Sequence, residues 1–132
     1  MIRTVITRSI VAISAILLVA CSEADRAKVF DTAQSPHGDY TLTATVIEPW
    51  YPQGPYYVAL DLIRAKNAVS ERLLKTTLAY DGVPFTKKNI GIRWTGDHAA
   101  LACLRATDRP DKGIQITVHE DATVSTQLRV GC

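Results

Sequence analysis

Apolar and polar residues alternate with a period of two along most of the chain after residue 39. This pattern constrains the fold more than any other feature. In residues 40–48, Tyr40, Leu42, Ala44 and Val46 fall on one side and three threonines fall on the other. Because successive side chains of an extended strand point to opposite faces, this alternation is typical of a half-buried strand. Comparable patterns predict strands over residues 40–48, 57–65, 89–95, 99–106, 113–119 and 123–132.

The connections between the last predicted strands are short and rich in turn-forming residues. They cover residues 95–98, 107–113 and 119–122, and such connections are typical of hairpins. Residues 99–106 are apolar on both faces, which predicts a central or covered strand. We therefore predict an all-β fold with at most one short helix. A small antiparallel meander would form a sandwich or a partly open barrel.

One segment, residues 68–80, fits two kinds of secondary structure. A strand would turn Leu74, Thr76, Leu78 and Tyr80 inward, whereas a helix would use apolar residues three or four positions apart. The two adjacent threonines and the Asp-Gly turn that follows favour a strand over a helix.

The first twenty residues have the pattern of an export signal. Arg3 and Arg8 precede the apolar run "IVAISAILLVA", and this part of the chain contains no acidic residue. The run is about half the roughly 20 residues that a membrane-spanning helix needs. A basic segment followed by a short apolar run is typical of a secretory signal peptide. The run ends in Leu18-Val19-Ala20-Cys21, which resembles the lipobox of bacterial lipoproteins.

This resemblance implies that residues 1–20 are removed and that Cys21 carries lipid as the first residue of the mature protein. Two or three acyl chains are enough for stable membrane attachment. The alternative is an ordinary signal peptide followed by an incidental cysteine. The resemblance places the protein in the cell envelope, bound to the membrane through Cys21. In a Gram-negative host, Ser22 is compatible with the outer membrane, with the domain facing the periplasm.

Removal of the signal would leave 112 residues, enough for one domain with a hydrophobic core. We predict that residues 21–34 form a lipidated polar tether, helical near residues 24–29, and that residues 35–132 form a single β-rich domain. The loss of Arg3 and Arg8 leaves 13 basic and 13 acidic residues, a formal net charge of zero. A neutral chain without a Lys/Arg cluster argues against binding to nucleic acid.

Two cysteines remain when Cys21 is assigned to the lipid. Disulfides persist in exported proteins, so Cys103 and Cys132 are predicted to form one. Their spacing matches no zinc motif. Strand alternation places Cys132 on the same face as Leu128 and Val130, which predicts a buried disulfide.

The most unusual local composition lies in residues 48–57, "EPWYPQGPYY". Its three prolines favour an extended backbone and end the preceding strand. Its aromatic side chains, Trp50, Tyr51, Tyr56 and Tyr57, are candidates for a surface that binds a sugar, a peptide or a protein. The alternative is that these rings seal one end of the sandwich or barrel.

The sequence contains no pattern that indicates catalysis or a cofactor. His37, His98 and His119 fall at predicted turns near acidic residues, but none has the spacing of a metal site. No nucleophile motif and no carboxylate pair stands out, and Cys103 is better explained by the disulfide. We therefore predict a protein that is not an enzyme and has no metal or cofactor.

Two motifs carry a second resemblance. Ser35-Pro36-His37-Gly38-Asp39-Tyr40 opens the predicted domain, and Ile92-Arg93-Trp94-Thr95-Gly96-Asp97 ends a strand at a turn. This layout resembles small bacterial lipoproteins of unknown function, which open their domain with Ser-Pro-Asp-Gly-x-Tyr. His37 replaces the usual aspartate. The resemblance implies a small β domain and no particular activity.

Two functions fit these observations. The first is a membrane-anchored lipoprotein whose non-catalytic domain binds a protein partner or supports the cell envelope, with the aromatic loop as its contact surface. The second is an inhibitor or immunity lipoprotein that blocks a toxin or a cell-wall hydrolase.

Overall fold

The computed structural model describes residues 22–51, 54–78, 86–106 and 109–132, and these residues form one short helix and eight strands. In chain order, the elements are α1 (Glu23–Arg26), β1 (Ala27–Gln34), β2 (Tyr40–Ile47), β3 (Tyr56–Arg64), β4 (Ser70–Leu78), β5 (Ile90–Trp94), β6 (Ala99–Leu104), β7 (Lys112–Val118) and β8 (Val124–Val130). Every predicted strand is present, and the segment that fitted two structures is the strand β4. Its predicted inward residue Tyr80 lies outside the described residues.

The strands form two antiparallel four-stranded sheets, and the predicted all-β class is confirmed. The first sheet has the order β1-β2-β3-β4 and the second β5-β6-β7-β8. The second sheet is the predicted meander of the last four strands. The inward faces of both sheets share one core cluster, as in a sandwich. Its fully buried members include Leu42, Leu60, Leu62, Leu104, Ile114 and Ile116.

The two sheets are joined along the edges of β1 and β5. The indole Nε1 of Trp94 donates a hydrogen bond to the backbone oxygen of Ala33 at 2.9 Å. The backbone N–H of Ile92 donates to Asp31 Oδ2 at 3.2 Å. These two bonds connect one sheet directly to the other, so this side of the sandwich is held by hydrogen bonds as well as by apolar packing.

β1 corrects the predicted tether. Residues 27–34 were expected to belong to a polar segment, but they pair with β2 over its full length. The register shifts between Val29 and Asp31, so that Phe30 is an extra residue and packs against the core. A bulge of this kind interrupts the alternation by which a strand is recognised in sequence. The helix expected over residues 24–29 is only the single turn of α1.

The disulfide joins Cys103 to Cys132, with Cα atoms 5.7 Å apart. Only one half of it is buried, because Cys103 is 5% exposed whereas Cys132 is exposed. The predicted burial of Cys132 with Leu128 and Val130 is therefore wrong. Val130 is itself 87% exposed on the edge strand β8, and Gly131 has a φ of +84°. This left-handed residue ends the alternation, so Cys132 reaches the outer face on which Cys103 lies.

The two ends of the sandwich differ. At what we call the hairpin end lie the turns that follow β1, β3, β5 and β7. At the other end, which we call the N-terminal end, lie α1, the start of β1 and the loop between β2 and β3. The ends of the two sheets coincide there, since Leu78 of β4 lines the same small cavity as Leu104 and Lys112. Among the described residues, no helix is long and apolar enough to cross a bilayer.

Candidate functional site

A pocket of about 320 Å³ opens at the N-terminal end. We call it the aromatic pocket. Its walls come from α1, from the loop between β2 and β3, and from the adjoining parts of β2, β3 and β4. The lining residues are Glu23, Arg26, Ile47, Pro49, Trp50, Tyr51, Pro55, Tyr57 and Lys75.

Three of the four predicted aromatic residues line this pocket. Trp50 is 66% exposed and Tyr51 is 61% exposed, so both rings are largely in contact with water. Tyr57 lies at the start of β3 and is half-buried. The fourth residue, Tyr56, packs against the core instead, because adjacent residues of a strand point to opposite faces.

Gly54 holds the loop in its tight shape. Its N–H donates a hydrogen bond to the backbone oxygen of Tyr51 at 3.0 Å. A Cβ at this position would lie 2.6 Å from the Cβ of Pro49 and 3.2 Å from the ring of Tyr51. Any larger residue would therefore displace the wall of the aromatic pocket.

Two cations stack on the rings of the pocket. The guanidinium carbon of Arg26 lies 4.7 Å from the ring centroid of Trp50. The ammonium of Lys75 lies 5.1 Å from the ring centroid of Tyr57. Such cation–π contacts are worth roughly 0.5–1 kcal/mol at exposed sites. Each contact favours the observed orientation of its ring by this amount.

One ion pair and one hydrogen bond to the backbone connect α1 to the strands. Glu23 Oε2 lies 2.7 Å from Lys75 Nζ, and Arg26 Nη1 donates to the backbone oxygen of Glu48 at 2.5 Å. The hydrogen bond from Lys75 lowers the pKa of the Glu23 carboxyl. Lys28 pairs with the carboxylate of Glu48 at 2.8 Å, and that hydrogen bond raises the pKa of Lys28.

One donor of the Arg26 side chain has no partner in the described part of the chain. Its Nε is buried and has no hydrogen-bond partner among the described residues. A buried donor without a partner typically costs about 1–3 kcal/mol. Because Nε is not accessible to solvent, a bound molecule could reach it only after the side chain moves.

Neither Arg26 nor Lys75 was predicted as part of the site. They come from α1 and β4, which are far apart in sequence, and neither residue lies in a recognisable motif. Only the pairing of β1 with β2 and of β3 with β4 brings them to the aromatic loop. No local signal could have identified them.

The two motifs that resemble lipoprotein sequences meet at the hairpin end. His37 Nδ1 lies 2.6 Å from Asp97 Oδ2, and the rings of Tyr40 and Trp94 stack with centroids 6.3 Å apart. The ring of His98 meets that of Tyr40 edge-on. These contacts connect the first turn of one sheet to the first turn of the other, so the motif residues stabilise the sandwich.

The remaining histidine, His119, hydrogen-bonds through Nε2 to Ser125 Oγ at 2.9 Å and stays exposed. Among the described residues, one group of potential metal ligands has its atoms close together, namely Cys103, Asp111 and Cys132. Both of its sulfur atoms are joined in the disulfide, so neither is a thiolate ligand.

A second depression of about 310 Å³ lies on the outer face of the second sheet, beside the disulfide. Its charged lining residues are Arg93 and Arg105, and Arg105 is 3.7 Å from Asp111. None of the described residues that line this depression is aromatic. The aromatic pocket combines exposed rings with two cations, and it is the better candidate for a binding site.

Cys21, the predicted lipidation site, lies outside the described residues, which begin next to it at Ser22. Comparison with models of known protein families, with curated proteins and with solved structures finds no match.

Proposed function

We propose that this protein is a lipid-anchored, non-catalytic binding domain of the bacterial cell envelope. Lipid on Cys21 holds it on the membrane, and the aromatic pocket is its binding site. In a Gram-negative host, the domain would stand at the outer membrane and face the periplasm. The alternative role in envelope support uses the same anchor and the same surface.

The aromatic pocket is the observation that carries this proposal. Exposing Trp50 and Tyr51 to water forgoes the free energy that burial of two large rings would contribute, roughly 1.5–3 kcal/mol for a fully buried large side chain. The cations stacked on the rings of Trp50 and Tyr57 favour the observed orientations of these rings in the absence of ligand. A preordered surface loses less conformational entropy on binding, which favours a role in recognition.

The polar groups of the pocket also support binding rather than catalysis. The carboxylate of Glu23 is occupied by Lys75, and the guanidinium of Arg26 is occupied by Glu48 and Trp50. These interactions fix the position of the charges. They do not present a free base next to a nucleophile, which acyl or glycosyl transfer requires.

The anchor and the binding site are tested separately. Mass spectrometry of the mature N-terminal peptide should find a diacylglycerol group on Cys21, and Cys21→Ser should leave the membrane fraction. An unmodified Cys21 in the wild-type protein would disprove the anchor.

The binding site is tested by affinity capture with the full lipidated protein, in mild detergent, from the envelope and secreted fractions of the host. Wild type is compared with Trp50→Ala/Tyr51→Ala and with a control, Val69→Ala, at a side chain that is 51% exposed at the hairpin end. A ligand that is lost in the double variant alone supports the proposal. A ligand that all three proteins retain would place the site elsewhere.

The inhibitor or immunity function is the second candidate. Exposed Trp, Tyr and Arg side chains are enriched at the energetic centres of protein interfaces, and the aromatic pocket presents all three types. Stoichiometric capture of one toxin or cell-wall hydrolase, lost on Trp50→Ala, would favour this function over general envelope support.

A further inference from the structure

We infer that the N-terminal end of the sandwich docks on the lipid surface, so that the domain lies on the membrane instead of standing away from it. The aromatic pocket would then be filled by the headgroup region of the bilayer. This inference rests on the proposed anchor at Cys21 and names the ligand of the proposed site.

The length of chain between the anchor and the pocket carries the inference. Ser22 is the only residue between Cys21 and α1, and Glu23 already lines the aromatic pocket. Two residues span at most about 7 Å when fully extended. A lipidated Cys21 therefore holds the pocket within a few ångströms of the headgroups.

This short connection has little slack. The N–H of Ser22 donates to Asp25 Oδ2 at 3.0 Å, which caps α1. Glu23 is paired with Lys75 of β4, and β1 begins directly after α1 at Ala27. The chain predicted to be a tether is thus part of the folded body, which must follow the anchor to the membrane.

The exposed rings suit the environment to which the anchor brings them. Trp and Tyr are enriched at the boundary between water and lipid, where an apolar ring with a polar edge is partly solvated by headgroups. Among the described residues, Trp50 and Tyr51 are the aromatic side chains most exposed to water. Both lie at the end that carries the anchor, and neither lies at the hairpin end.

The distribution of charge also favours docking at the N-terminal end. Among the described residues, basic side chains outnumber acidic ones at the N-terminal end, although the mature chain is formally neutral. The basic residues there are Arg26, Lys28, Lys75, Lys87, Lys88, Arg105, Arg109 and Lys112. The acidic residues there are Glu23, Asp25, Asp31, Glu48 and Asp111. Anionic lipids attract basic side chains close to a membrane surface, so this end is the one that such lipids favour.

Docking in this orientation determines which surface is free. An eight-residue strand such as β2 is about 25 Å long. The hairpin end would stand about that far from the headgroups and remain open to soluble molecules.

Fluorescence quenching in vesicles tests the inference, since the chain has two tryptophans, one at each end of the sheets. The full lipidated protein is incorporated into phosphatidylethanolamine–phosphatidylglycerol vesicles with and without brominated lipids, which quench only rings that touch lipid. We expect strong quenching in wild type and in Trp94→Phe, and loss of quenching in Trp50→Phe. Equal emission with and without bromine in Trp94→Phe would overturn the inference.

The contribution of basic side chains to docking is tested separately. Lys87→Gln/Lys88→Gln should weaken quenching of Trp50 in anionic vesicles, whereas the control Lys66→Gln, at the hairpin end, should leave it unchanged. Equal quenching in Lys87→Gln/Lys88→Gln and in wild type would remove the role of these lysines.

The outcomes separate this inference from the proposed function. A protein with diacylglycerol on Cys21 whose Trp50 is not quenched keeps the anchor and loses the docking. If Trp50→Ala/Tyr51→Ala then also abolishes capture of a protein, the pocket binds that protein and not lipid. An unmodified Cys21 removes the anchor and with it the premise of docking.

Discussion

The disulfide offers the sharpest test of how this small sandwich is stabilised. It links residues separated by 29 positions, and the chain-entropy model gives about 3.6 kcal/mol for closing a loop of this length. Cys132→Ser is the clean perturbation, because Cys132 is exposed and its loss leaves no cavity. Cys103→Ala would add a packing defect, because Cys103 is 5% exposed.

Urea unfolding in mild detergent measures the effect. We expect the free energy of unfolding to fall by about 3–4 kcal/mol in Cys132→Ser, equivalent to a decrease in Tm of roughly 15 °C for a domain of this size. Wild type with its disulfide reduced should match Cys132→Ser and serves as the control. A loss below about 1 kcal/mol would refute the reasoning, since it would mean that the cross-link scarcely restricts the unfolded chain.

Three further predictions follow from single contacts. Gly54→Ala should destabilise the fold by about 1–3 kcal/mol, because the added Cβ collides with a proline of the same loop, and urea unfolding measures the loss. Trp94→Phe should cost about 1 kcal/mol or more by removing the hydrogen bond to Ala33, and unchanged stability would contradict the role of that bond in joining the sheets. The lowered pKa of Glu23 implies that its pairing with Lys75 contributes stability above the ordinary carboxyl pKa of 4.5, and that this contribution is lost as the pH falls through the lower folded value. The protection of α1 amides, measured as the exchange rate relative to the intrinsic rate at the same pH, should therefore fall between pH 7 and pH 3. Glu23→Gln should remove this pH dependence.

Most strands could be predicted from the sequence because alternation is a local property. In β2, β3 and β7, each residue's face follows from that of its neighbour, and the predicted bounds lie within a residue or two of the observed ones. Two predictions were wrong, each where a single residue interrupts the alternation. Phe30 is the extra residue of a bulge, so the alternation of β1 was not recognised in the sequence. Gly131 has a positive φ and turns Cys132 to the face opposite the one expected.

The candidate site was only partly predictable for a different reason. Trp50, Tyr51 and Tyr57 stand close together in sequence, so their composition drew attention to them. Arg26 and Lys75 reach the same pocket from other elements, and only the order of the strands in the first sheet brings them there.

By itself, the sequence determined the all-β class, most of the strands and the pairing of the two cysteines. Alternation and cysteine number are properties of the sequence and do not depend on how distant segments pack. It also supplied the resemblance to a lipobox and the aromatic composition that motivate the proposed anchor and binding site. The tertiary structure alone decided that the expected tether is the edge strand β1 and that Cys132 is exposed. It alone assembled the pocket from α1 and the strands beside it. These features depend on which distant segments pack together. Burial of the whole hydrophobic core determines that packing, so it cannot be read from any single segment.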